Sequence, residues 1–124
     1  MKTIILITIA TLLMNGCAGT IDDVAPKNAS AKSTMRLCAM YGLHGKYASN
    51  NLPNIKAELK RRKAFTKREW ELIDNNQIQV GMSSEALTCS WGYPEKINRA
   101  SYGNQSVYGN SYVYTKNHKV TAWN

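Results

Sequence analysis

At Lys96 the chain changes its repeat, and the stretch from there to Asn124 leaves little freedom of fold. Ile97 to Ser101, Gln105 to Tyr108, Ser111 to Thr115 and Lys119 to Trp123 are rich in β-branched and aromatic residues. The turn-forming pairs Gly103-Asn104, Gly109-Asn110 and Asn117-His118 separate them. Four short strands so joined form an antiparallel meander. The last pair suits a two-residue hairpin loop, because Asn and His tolerate a positive φ better than most residues. In the third run Tyr112 and Tyr114 face one side and Val113 the other. In the last, Val120 and Ala122 oppose Thr121 and Trp123.

Before Lys96 the spacing is helical. Pro53-Asn54 opens a segment in which Ile55, Leu59 and Arg62 share a face, with Glu58 three and four residues ahead of Arg61 and Arg62. Thr66-Lys67-Arg68-Glu69 fits a capping box, and Phe65 stands where a hydrophobic staple would meet Trp70. After a turn at Asp74-Asn75-Asn76, Ile78-Gln79-Val80 is an extended lead-in to another helix start. Ser83 is its N-cap, Glu85 lies in its first turn, and Met82 and Leu87 hold the staple positions. That helix runs to about Trp91 and stops at Gly92, with Pro94 beyond. Met35 to Tyr47, interrupted by Gly42 and Gly45, reads as a short helix or a strap across the domain.

The N-terminus has another character. One positive charge, Lys2, precedes an eleven-residue apolar run from Ile4 to Met14 and short residues before Cys17. The run is too short to span a bilayer, which takes about 20 apolar residues. The segment resembles a bacterial lipobox, although Met14 stands where Leu is commonest and Asn15 is polar. That resemblance implies cleavage before Cys17, acylation of Cys17 and a permanent membrane anchor. Ala18, in place of Asp, implies the periplasmic face of the bacterial outer membrane. Residues 1–16 are then the signal peptide and 17–34 a flexible tether, rich in Ala, Ser, Thr, Lys and Asn. A helical segment, 35–76, and a helix plus meander, 77–124, complete the chain. The 108 residues left from 124 after removal of 16 suffice for one small domain.

With Cys17 acylated, Cys38 and Cys89 remain. Two thiols in an oxidising compartment make one disulfide, closing a loop whose chain entropy is worth roughly 4 kcal/mol. The other reading is two separate buried thiols. His44, six residues past Cys38, lacks the CxxC or HxxxH spacing of a zinc site, so no metal is expected. The formal charge of +8 becomes +7 without Lys2. In a periplasmic setting it points to phospholipid headgroups, wall polymer or acidic protein faces, and away from nucleic acid.

Ile78, Gly81, Met82, Ser83, Leu87, Gly92 and Pro94 together resemble the signature of the SmpA/OmlA family of outer-membrane lipoproteins. Similarity to that family implies an α+β fold, with short helices preceding and packing on a small antiparallel sheet of three to four strands. It also implies a role in outer-membrane assembly or integrity. The likeness covers Ile78 to Trp123, and the helical stretch from Leu52 to Asn76 departs from the family pattern. The repeats of β-lactamase inhibitory proteins share the layout.

No catalytic constellation is expected. Gly81-Met82-Ser83-Ser84-Glu85 lacks the closing Gly of a nucleophile elbow, and there is no phosphate-cradling Gly loop. Glu69 and Glu71 point to different helix faces. No enzyme, cofactor or small-molecule substrate is therefore expected. Two surfaces remain, each with two readings. Lys60, Arg61, Arg62 and Lys63, with Lys67 and Arg68, are either a solvated helix end or a contact for an anionic surface. Tyr112, Tyr114 and Trp123 are either core or a partner interface. The leading expectation is a lipid-anchored protein-interaction or envelope-scaffolding module with an envelope protein partner. The alternatives are an inhibitor-like binder of a periplasmic enzyme and an electrostatic wall- or membrane-binding accessory.

Overall fold

The computed structural model describes residues 26–42 and 52–124. A single helical turn, α1 (Pro26–Ala29), leads to four helices: α2 (Thr34–Gly42), α3 (Leu52–Arg61), α4 (Lys67–Asp74) and α5 (Ser84–Trp91). Four strands complete the chain: β1 (Lys96–Ala100), β2 (Gly103–Tyr108), β3 (Ser111–Lys116) and β4 (Lys119–Trp123). The sheet is antiparallel in the order β1-β2-β3-β4, so the fold is α+β, as the change of repeat requires. Among the described residues no helix is long and apolar enough to cross a membrane.

The local signals act where the residues place them. Thr66 and Glu69 form the reciprocal capping box of α4, and Phe65 meets Trp70 edge to face at 5.4 Å. The Ser83 side chain accepts from the Ala86 amide at the start of α5, with Met82 and Leu87 buried beside it. Gly92 ends α5 with φ +80, its N–H donating to the Thr88 carbonyl at 2.7 Å. Its ψ of −167 sends the chain out extended instead of into the left-handed helical basin.

The central helix is α5, buried from Ala86 to Ser90 against α2, α4 and β4. Cys38 and Cys89 are disulfide-bonded, with Cα atoms 4.1 Å apart. The same helix pair closes on glycine: a Cβ on Gly42 would lie 2.5 Å from both the Gly92 nitrogen and the Thr88 carbonyl oxygen. Only hydrogen fits there. Leu37, Ile55, Leu59, Ile73, Val113 and Val120 fill the core that the bridge crosses.

Three expectations need correction. The coil expected over 17–34 does not hold beyond residue 25, because α1 is helical and Ala29 is buried in the core. Cys17 to Ala25 lie outside the described residues, as does the segment after Gly42. The first hairpin turn is at Ser101-Tyr102, not at Gly103-Asn104. Gly103 instead pairs with Ala100 inside the sheet, where a Cβ would approach the Thr115 carbonyl oxygen to 2.7 Å.

The third correction lies in β4. Tyr114 pairs with Ala122 but Thr115 pairs with Val120, so Thr121 is an extra residue in a β-bulge. Its hydroxyl donates to the Tyr114 carbonyl at 3.2 Å. The bulge breaks strict alternation: Val120 and Trp123 fall on the same, helix-facing side, and Ala122 on the other. The turn ahead of it agrees with expectation, with Asn117 and His118 at φ +50 and +60.

Candidate functional site

The sheet has two unlike faces. Toward the helices it presents Ser106, Val113, Thr115 and Val120, all buried. Tyr108 and Trp123 flank them, each meeting the Trp91 ring edge to face, at 5.4 and 6.0 Å. The Tyr108 hydroxyl donates to the Gly92 carbonyl at 3.0 Å, and burial pushes its pKa well above the usual phenol value. Trp123 is nonetheless about half exposed, at 49%.

The opposite face carries Tyr112 and Tyr114 from β3, with Asn98, Gln105, Val107 and Ala122 as their cross-strand neighbours. No described element lies over it. A polar row crosses three strands there: Asn98 Nδ2 donates to Gln105 Oε1 at 2.8 Å, and Gln105 Nε2 donates to the Tyr114 hydroxyl at 3.0 Å. This row fixes the Tyr114 ring without burying it. Tyr112 is 37% exposed and Tyr102, at the tip of the β1–β2 turn, is 79% exposed. A shallow cleft of about 410 Å³ lies between Tyr102 and Tyr114, with Asn98 and Gln105 in its lining.

The three aromatic residues singled out by sequence are therefore not one patch. Tyr112 and Tyr114 share the open face, whereas the bulge turns Trp123 to the helical side. Sequence reasoning missed Asn98 and Gln105, although alternation along the first two strands would have placed both beside Tyr114.

The basic run also divides. Arg62 is not an open cation. Its Nε donates to Glu58 at 2.8 Å, its Nη1 to the Thr34 hydroxyl at 3.1 Å, and its Nη2 to the carbonyls of Ala29, Ser30 and Lys32 at 3.2, 3.3 and 2.6 Å. Its side chain is only 19% exposed. Arg62 thus clasps the chain between α1 and α2 to the end of α3. Its five donors in a fixed fork suit a site that offers several carbonyls and one carboxylate.

Arg61 holds the same Glu58 with both Nε and Nη2, at 2.8 and 2.7 Å. These bonds, Arg61's first and Arg62's second, hold the Glu58 carboxyl down at about 2. Lys60 stands 5.7 Å over the Trp70 ring, sharing it with Lys56 at 5.2 Å. Arg68 pairs with Glu71 and reaches Gln79. Lys63 and Lys67 are at the surface, Lys63 in the turn that leaves α3 with φ +52. The run is a helix end whose arginines are engaged within the fold, with lysines left at the surface.

Among the described residues no cluster of His, Cys, Asp and Glu is placed to hold a metal ion. His118 sits at the β3–β4 turn; His44 and Cys17 lie outside the described residues. Compared with family models, with curated proteins and with solved structures, the chain matches none.

Proposed function

We propose that the chain is a non-enzymatic, lipid-anchored envelope protein that docks another protein through the uncovered face of its sheet. The observation that carries this reading is the contrast between the two faces. One is packed by helices; the other presents Tyr112, Tyr114 and Val107 with no described element above them. A tyrosine held by a hydrogen-bonded row, as Tyr114 is, suits a protein interface, because a fixed ring loses little entropy on binding. The sequence of residues 1–17 supports a bacterial lipoprotein anchored at Cys17, and the resemblance in Ile78 to Pro94 makes outer-membrane assembly the setting to test first.

The test is site-specific photocrosslinking in intact cells. A photoreactive residue at Tyr112 or Tyr114 is expected to capture one defined envelope protein, and the same residue at Lys63, on the helical side, to capture none. Equal capture from both positions would overturn the assignment. Labelling with a palmitate analogue, lost in Cys17→Ala, tests the anchor separately.

A further inference from the structure

The sheet offers more than a face. At one side, the segment before α5 already takes the edge of β4: the Gly81 amide donates to the Val120 carbonyl at 2.8 Å and the Val120 amide to the Met82 carbonyl at 2.9 Å. The Ser84 amide likewise donates to the His118 carbonyl at 2.9 Å. At the other side β1 ends the sheet, and all five of its residues are exposed. An edge strand of this kind presents a ready row of backbone donors and acceptors.

The charges along the strands are all of one sign. Lys96, Arg99, Lys116 and Lys119 stand on them, and no Asp or Glu does. Among the described residues none of these four makes a salt bridge; the ion pairs belong to α3, to Arg62 just after it and to α4. The nearest acid in sequence, Glu95, accepts from the Gly109 amide at 3.2 Å. On β1 the two cations are three residues apart, so alternation puts Lys96 on the open face and Arg99 on the helical side.

From these relationships we infer that β1 accepts an extended acidic segment of a partner protein as a fifth strand, with carboxylates three residues apart meeting Lys96 and Arg99. This rests on the reading of the sheet as a protein-docking element. Backbone pairing gives such an addition its affinity, and the charges select its sequence. A second copy of β1 is disfavoured as the occupant, because it would bring two further cations and no carboxylate to the same seam. Edge lysines and arginines repel unwanted strands in this manner; here they also define the wanted one.

The probe is a short capped peptide of β-forming residues with two glutamates three residues apart, added to the full chain in non-ionic detergent. The control peptide has lysines in their place. The acidic peptide is expected to shift the backbone amide resonances of β1, and the basic peptide to leave them unmoved. Lys96→Glu with Arg99→Glu, both on an exposed strand, is expected to weaken the acidic peptide by about tenfold or more and to let the basic one bind. Equal binding of both peptides, or a charge reversal without effect, overturns the inference. The outcomes separate from those of the docking proposal. Partner capture at Tyr112 that survives the double reversal would remove the fifth strand alone. Peptide binding at β1 with no capture at Tyr112 would remove the facial interface alone.

Discussion

The Arg62 guanidinium meets the Lys32 carbonyl at 2.6 Å, across thirty residues of chain, and so holds the chain between α1 and α2 against the domain. Removing it leaves Glu58 with one partner and three backbone carbonyls without their charged donor. Arg62→Ala is therefore expected to lower stability by about 3 kcal/mol, read from urea unfolding. Arg62→Lys should recover little, since an ammonium cannot span the carboxylate and the carbonyls together. An alanine variant as stable as the parent would show that the clasp is incidental.

The same contact gives a pH dependence. A carboxyl held at about 2, below its ordinary 4.5, stabilises the fold in its ionised form. Its contribution is complete above about 4.5 and drains away as pH falls toward 2. The urea midpoint should drop across that window in the parent and less steeply in Glu58→Gln. Parallel profiles would place the acid sensitivity at other carboxylates.

Gly42→Ala should be destabilising by about 1–3 kcal/mol, because the new methyl meets backbone of α5 that cannot swing aside. The comparison is Ala57→Gly, an exposed position on α3, where only helix propensity of about 1 kcal/mol is at stake. Thermal unfolding of the two variants decides it. If Gly42→Ala melts above Ala57→Gly, the close approach of α2 to α5 is loose enough to admit a methyl.

Deleting Thr121 is a test of register. Because Thr121 is the bulged residue, its removal leaves Val120 and Trp123 facing the helices and Ala122 facing out. Trp123 should stay against Trp91, with tryptophan emission unchanged and a stability change of about 1 kcal/mol or less. Under strict alternation Trp123 would start on the open face opposite Val120, and the deletion would carry it to the helical side and shift its emission to the blue.

Much of this architecture was legible in local chemistry. Thr66 with Glu69, Ser83 with Met82 and Leu87, and the Asn117-His118 turn act within a few residues of themselves, so short patterns reveal them. The bond between Cys38 and Cys89 was one of two open readings; the packing of α2 on α5 decides it. The failures are all long-range. Nothing near Arg62 in sequence announces the carbonyls of Ala29 and Lys32. Gly103 looks like a turn residue until the approach of Thr115 is seen. The bulge at Thr121 has no glycine or proline to mark it, and it alone decides where Trp123 points. The open face was half legible: the tyrosines stood out, whereas Asn98 and Gln105 were hidden by their ordinary polarity.

The closure of the β4 edge by Gly81 and Met82 has a consequence for assembly. A fibril of head-to-tail sheets needs each member to offer two complementary edges, one to give and one to receive. Here the Val120 amide and carbonyl are already spent within their own molecule, whereas β1 is exposed along its whole length, so the two edges of the sheet are not equivalent. The seam filled by Gly81 and Met82 is closed to a second copy, which biases the sheet against head-to-tail growth.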